Sequence, residues 1–208
     1  MILFIVRHAE STANNREILA SQQDFPLSEK GHRQAGTIAK KFFSENKLLI
    51  PDVIFASPLT RAKETASYFS AICGAEIVTA VELIEQHLGR FSGMTYKELE
   101  SESEYCHEKT KRWNWIPDGG GESYEMVAER LIPFFRNLEN RDYENVLIVT
   151  HAVTMRMIHA IITDSMPSYP ENIARNGEIW KVSFTKTGSR HLIEVLDYSG
   201  VLATEWKE

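Results

Sequence analysis

The chain has 208 residues, 23 Lys and Arg against 29 Asp and Glu, and 43% apolar residues, which suits one domain with a substantial core and at most one inserted lobe. Its net charge of −6 argues against nucleic acid as a partner, because phosphate-backbone binding needs a basic face, and no apolar run approaches the roughly 20 residues that cross a membrane. The N-terminal apolar run is too short for a signal peptide and precedes no A-x-A site, and Cys73 and Cys106 sit in no C-x-x-C pattern, so a reducing cytoplasm is the expected compartment.

The first predicted element is the strand ILFIV, which ends abruptly at Arg7-His8. A helix follows over SEKGHRQAGTIAKKFFSEN, with Ser28 as its N-cap and Ile38, Phe42 and Phe43 on one face. DVIFAS is a strand, TRAKETASYFSAIC a helix with Ala62, Ala66, Phe69 and Ile72 inward, and AEIVTA a strand. The segment from about Gln86 to Gly121 breaks the rhythm with charges, Tyr96, Tyr105, Trp113, Trp115 and three consecutive glycines. GESYEMVAERLIPFFRNLEN is then a helix that Pro133 is placed to kink, NVLIVT a strand ending at His151, and AVTMRMIHAIIT a helix. Two late strands lie near EIWKVSFT and RHLIEVLD, with a turn around Thr187-Gly188. Alternating helices and continuous apolar strands predict an α/β fold, a three-layer α/β/α sandwich on a mostly parallel sheet. Residues 1–208 are read as one domain, with 86–121 an inserted lid over one end of the sheet.

In an open α/β sheet, ligands bind beyond the carboxyl ends of the strands. The first strand ends in Arg7-His8, the second in Ser57-Pro58 with Arg61 soon after, the third is followed by Glu82 and Glu85, and the fourth long strand ends in Thr150-His151. Two histidines, two arginines and a carboxylate therefore project toward one edge. Arginine is a fixed fork that matches phosphate oxygens, and nearby cations keep an imidazole neutral and nucleophilic. The second histidine and the first amides of the helix opened by Ala152 can meet the equatorial oxygens of a transferring phosphoryl group. A carboxylate near Glu85 is a source for the leaving-group proton. Metal-ligand spacings such as H-x-H or H-E-x-x-H are absent, as are a P-loop and a dinucleotide-binding glycine fingerprint.

These residues fall in blocks. RHAESTANN resembles R-H-G-x-S-x-x-N, DFPLSEKGHRQA resembles D-x-P-L-[ST]-x-x-G-x-x-Q-A, and SPLTRAKETA resembles S-x-x-x-R-A-x-x-T-A. LIEQHLGRFSG and VTHAVTMR resemble the L-x-E-x-x-x-G-x-x-x-G and V-[ST]-H-G-x-x-x-R blocks. Five blocks in this order resemble the histidine phosphatase superfamily, with its phosphoglycerate mutase-like fold, over most of the chain. The resemblance implies that His8 is the phosphorylated nucleophile, that Arg7, Arg61 and His151 complete the phosphate pocket, and that Glu85 is the proton donor. It further implies that Asn14 helps hold the phosphate, that Ser21 contributes a phosphate or substrate contact, and that the Ala152 amide stands where the family uses a glycine amide. It implies no metal and no other cofactor.

Two departures stand out. Ala9 and Ala152 replace the glycines after each histidine, a substitution penalised by roughly 1 kcal/mol if either position needs a positive φ. The mutases of the family have an aromatic, a lysine and an Arg-Arg pair where this chain has Leu88, Tyr96 and a single Arg112 beside Lys111. The expected activity is therefore metal-independent hydrolysis of a small phosphorylated metabolite, with phosphoglycerate mutase and a non-catalytic phospho-ligand module as the rival readings. Monomer and homodimer are both open. Outside the site, Arg156 reads as half of a structural ion pair, His159 as a helix residue and His87 as a loop buttress. Lys109, Lys111 and Arg112 read as a solvated face, while His32, His107 and His191 carry no motif. Trp113, Trp115, Tyr96 and Phe91 either line a substrate pocket or form the small core of the insertion.

Overall fold

A computed structural model describes residues 1–196 and Tyr198. Six strands form one sheet in the order β3-β2-β4-β1-β5-β6. They are β1 (Ile2–Arg7), β2 (Val53–Ala56), β3 (Glu76–Thr79), β4 (Asn145–Thr150), β5 (Ile179–Ser183) and β6 (Ile193–Leu196). The first four run parallel, and β5 and β6 add an antiparallel flank. The α-helices among the described residues are α1 (Thr12–Asn15), α2 (Glu29–Glu45), α3 (Thr60–Cys73), α4 (Tyr96–Glu100), α5 (Tyr124–Glu139) and α6 (Ala152–Ile162). Among the described residues no helix is long and apolar enough to cross a membrane.

The central strands are apolar without alternation because both faces are covered. Leu3 and Ile5 of β1, with Val146 and Ile148 of β4, pack against α5 and α6. Phe4 and Val6, with Leu147 and Val149, pack against α2 and α3. The predicted three-layer sandwich on a mostly parallel sheet is the observed architecture. Ser28 caps α2, accepting from the Gly31 amide at 2.9 Å, and Gly74 ends α3 in the left-handed region at φ 75°. Asp24 acts as the cap that α3 lacks at its own start, accepting from the amide and hydroxyl of Thr60 at 2.7 and 2.6 Å.

One core assignment fails. Ile72 is 46% exposed. The inward row of α3 runs Ala62, Ala66, Phe69 and then Cys73, and Ile72 lies one residue off it and turns out. The α5 helix continues through Pro133 as a single element.

The segment 86–121 holds α4 and the short 3-10 turns Gly89–Phe91 and Lys109–Lys111. Its own small core is Leu88, Phe91 and Leu99, with Tyr105 and Trp115 packed on it. Trp113 joins the main core instead and stacks on Tyr169 at 6.4 Å, so the aromatics of this segment divide between two cores.

Gly31 has a packing reason. A Cβ built there would lie 1.8 Å from the Glu10 carbonyl oxygen, so glycine lets α2 press against the chain that leaves β1. Gly31→Ala should lower the unfolding free energy by about 2 kcal/mol or more in urea titration. Gly36→Ala, on the same helix but with its nearest new contact an ordinary 3.5 Å to the Tyr68 ring, should be neutral or stabilising by up to about 1 kcal/mol.

Candidate active site

The site begins in the pairing of β1 with β4. Their parallel register sets Ile2 opposite Asn145 and ends with Arg7 opposite Thr150. The next residue on each strand is a histidine, and the two rings lie 5.1 Å apart between centroids. His8 is 4% exposed, on the wall of a cavity of about 520 Å³. Its Nδ1–H donates to the Ala9 carbonyl at 2.7 Å, which leaves the Nε2 lone pair unprotonated. Burial, and then the charges of Arg61 and Arg7, hold its pKa well below the ordinary histidine value. His8 is thus a neutral imidazole with its nucleophilic nitrogen defined. His151 is fully buried, and burial and Arg61 keep it neutral too. Its Nε2 meets the Ser57 hydroxyl at 2.6 Å, while Nδ1 has no partner among the described residues.

Two arginines face the same cavity. Arg61 is 2% exposed and donates to the carbonyls of Gln23 and Ser21 at 2.9 and 2.7 Å. Burial brings its pKa down to about 10 against the opposing pull of Glu85 and Asp24. Arg7 donates to the Ala174 carbonyl at 2.6 Å, and its Nε is buried without a partner. Burial lowers its pKa as well. Both cations are held by neutral carbonyls, so their charge remains available to an anion.

The Glu85 carboxylate lies across the N-terminus of α6. It accepts from the amides of Val153 and Thr154 and from the Thr154 hydroxyl, each at 3.2 Å, and from Gln86 N at 2.9 Å. The neighbouring Ala152 amide lines the cavity with no acceptor among the described residues. Glu82 and Glu85 are both half-buried, but only Glu85 lines the cavity, so Glu85 is the carboxylate that geometry places.

Asn14 lines the cavity, but its carboxamide oxygen is committed to the capping box of α1, accepting from Ser11 N at 3.0 Å and Ser11 Oγ at 2.9 Å. Only its amide nitrogen remains for an anion. Ser21 lines the cavity as expected of a contact residue. Its hydroxyl donates to the Gln86 carbonyl at 2.8 Å and accepts from the Leu88 amide at 2.9 Å, so it also ties down the backbone of the Glu85 loop. Ser21 adopts φ 52° to make this clamp, and its carbonyl holds Arg61.

The two alanines are accommodated without strain. Neither Ala9 nor Ala152 has a positive φ. The Ala9 methyl fills a small cluster with Leu27 and Ala35, and its amide donates to Thr65 Oγ1 at 3.1 Å.

Arg156 is also corrected. It makes no ion pair among the described residues, donating instead to the Tyr124 hydroxyl at 2.8 Å and to the Glu171 carbonyl, with its Nε buried and unpartnered. It lines the cavity together with Tyr96, His107, Lys109 and Arg112, so a face read as solvated is in part the distal wall of the site. Lys111 stays outside it, paired with Glu108 at 2.6 Å. His159 stands against Trp180, and His87 buttresses its loop by accepting from the Gly89 amide at 3.2 Å.

Sequence reasoning missed Asn176, Thr154, Gln22, Glu122 and Arg130. Asn176 donates to the His8 carbonyl at 3.0 Å and to Asn14 Oδ1 at 3.2 Å from a loop 168 residues away. Nothing local in the sequence marks it. Glu122 and Arg130 lie one on each side of the start of α5 and read only as a cap-region acid and a helix surface charge.

A profile described as histidine phosphatase superfamily (branch 1) matches residues 3–194. A metal-independent phosphoserine phosphatase of Arabidopsis thaliana is 31% identical over 168 residues, 78% of this chain and 69% of the relative. A probable phosphoglycerate mutase of Photorhabdus laumondii is 30% identical over 177 residues, 83% of this chain and 79% of the relative. A mycobacterial glucosyl-3-phosphoglycerate phosphatase, solved in complex with VO3, superposes with a TM-score of 0.80 at 24% identity, covering 93% of this chain and 97% of its own. A fold that delivers two neutral histidines and two carbonyl-held arginines to one cavity, and a profile that spans nearly every described residue, agree: this chain belongs to the histidine phosphatase superfamily.

Proposed function

We propose that the protein hydrolyses small phosphomonoesters through a phosphohistidine formed on His8. One observation carries the reading: a neutral imidazole, its Nδ1–H fixed on the Ala9 carbonyl, faces a cavity beside Arg7 and Arg61, whose partners among the described residues are backbone carbonyls. The Nε2 lone pair attacks phosphorus in line with the ester oxygen, and the phosphorus–oxygen bond to the alcohol breaks. Arg7, Arg61 and the Ala152 amide hold the three equatorial oxygens, where charge accumulates. His151 and the Asn14 amide nitrogen stand beside them as further donors. Glu85 gives its proton to the departing oxygen. Water then enters opposite His8, Glu85 takes its proton, and inorganic phosphate leaves with the imidazole restored.

The substrate is a small phosphorylated molecule, taken without metal. The acidic balance of the chain argues against nucleic acid, and no membrane surface is proposed as a partner. Cys73 and Cys106 are both free thiols, which fits a cytoplasmic setting. Either a monomer or a homodimer would carry a complete cavity.

A mutase is the second reading, favoured by the cationic distal wall. Arg112 and Arg156 line the cavity with no ion pair to any described carboxylate, and could hold another anionic group while the phosphoryl group moves. Interconversion of monophosphoglycerates that depends on a bisphosphoglycerate primer and outpaces hydrolysis would establish it. A chain that bound phosphate but never formed an acid-labile phosphoenzyme would instead be a binding module.

His8→Ala should lower 4-nitrophenyl phosphate turnover by about 10³-fold or more, with loss of acid-labile phosphate on the protein after rapid quench. Wild-type turnover should persist in excess chelator. Because His8 is held neutral below the ordinary value of 6.5, the acid limb of kcat/KM should lie below pH 6.5. Removing one of the cations responsible, in Arg61→Gln, should move that limb upward while kcat/KM falls by about 10²-fold or more.

A further inference from the structure

The mechanism needs Glu85 within proton-transfer reach of the leaving oxygen, yet residues 82–88 are a loop with only one short 3-10 turn, Val81–Leu83, at their start. What holds this loop comes from elsewhere in the chain. Arg130, on α5, donates from Nη1 to the Glu82 carbonyl and from Nη2 to the Glu85 carbonyl at 3.3 Å, so one planar guanidinium spans both ends of the turn that presents the acid. Its Nε pairs with Glu122 Oε1 at 2.9 Å. The other Glu122 oxygen accepts from the His87 amide at 2.8 Å and from Gln22 Nε2 at 3.2 Å. Gln22 Nε2 also donates to the Glu85 carbonyl at 2.9 Å. The Glu122 backbone closes the frame, with its carbonyl accepting from Gln86 Nε2 at 2.6 Å and its amide donating to the His87 carbonyl at 2.8 Å.

None of Gln22, Glu122 and Arg130 lines the cavity, and the ion pair is about four-fifths shielded on both sides. An ion pair so placed gains little from solvent-facing charge. Its bonds converge on the carbonyls and amides of residues 82–87, the one stretch whose position decides the proton transfer.

We propose that the Glu122–Arg130 ion pair, bridged by Gln22, positions Glu85 for protonation of the leaving oxygen and thereby sets how well the enzyme handles esters of poorly acidic alcohols. The three are positioning residues, and the proposal rests on the phosphohistidine reading above. As the bond from phosphorus to the ester oxygen breaks, an alkoxide must receive the Glu85 proton or leave at great cost, whereas 4-nitrophenolate departs without one. A loop displaced by about 1 Å can lose on the order of 10²-fold in such a transfer. Lysine at position 130 keeps the charge but not the fork, so it cannot hold both carbonyls and Glu122 together.

The test compares an alkyl phosphate, glycerol 1-phosphate, with 4-nitrophenyl phosphate in the wild type, Arg130→Lys, Glu122→Gln and Gln22→Ala, with Glu85→Gln as reference. Competitive inhibition by inorganic phosphate and thermal unfolding are measured on each. Arg130→Lys and Glu122→Gln should lose about 30- to 100-fold in kcat/KM on the alkyl ester and less than about 3-fold in kcat/KM on the aryl ester, because kcat/KM reports the transfer to His8 and not the later hydrolysis that both esters share, with phosphate inhibition unchanged within about 2-fold. Their rates should depend on leaving-group acidity more steeply than the wild type, approaching Glu85→Gln. Gln22→Ala removes only the bridge and covers the case in which an ion-pair variant fails to fold; it should show the same split at about 5- to 10-fold. Equal losses of kcat/KM on both esters, no loss on either, or weakened phosphate inhibition in parallel would overturn the proposal. Failure of the wild type to form a phosphohistidine would overturn the underlying reading instead, a result separable from any of these.

Discussion

Everything at this site depends on the parallel pairing of β1 with β4. The register that closes on Arg7 and Thr150 carries His8 and His151 out of the sheet side by side. Both follow the parity of Phe4 and Val6 and of Leu147 and Val149, the residues packed toward α2 and α3, from which Arg61 arrives. Arg7, of opposite parity, reaches the Ala174 carbonyl instead. A slip of one residue in β1 would exchange these faces and leave Arg7 where His8 stands. The long apolar runs on both strands are therefore what aligns the chemistry as well as what builds the core.

The second constraint is electrostatic. An acidic protein maintains a local cationic hole by giving Arg7 and Arg61 backbone carbonyls as partners. Carbonyls satisfy the N–H geometry without cancelling the charge, so the field still acts on the two imidazoles and on any anion that enters. The acid is treated in the complementary way. Glu85 rests on the amides that open α6, beside Ala152, so the carboxylate and the helix end share one stretch of the cavity wall.

Much of this was legible in the sequence because strands announce themselves by apolar runs and the site lies where those runs stop. His8, Arg7, Arg61, His151 and Glu85 all sit at or just after strand ends or helix starts, where local pattern and edge topology coincide. At Ser21 the sequence marks a place beside the cavity but not the bond its hydroxyl makes to a backbone carbonyl 65 residues away, because residue type and register carry no record of such a partner. Arg156 was misread because a buried arginine on an apolar helix suggests a carboxylate, and its partners are a phenol and a carbonyl instead. Asn176, Glu122 and Arg130 belong to contacts closed only by the tertiary fold. Ile72 shows the same limit on a smaller scale, since two spacings within one helix turn were both plausible and packing selected Cys73.

The burial that keeps both histidines neutral also couples the active site to the durability of the fold. An unfolded chain would protonate His8 and His151 near the ordinary 6.5, while the folded chain resists. The unfolded state thus binds more protons in acid, and stability, level above that value, declines as pH falls through the window down to the depressed folded pKa values. Each histidine contributes up to about 1.4 kcal/mol per pH unit to that decline. A fold built to present an uncharged nucleophile is in this sense an acid-sensitive fold, and its working range and its range of integrity are bounded on the acid side by the same two rings.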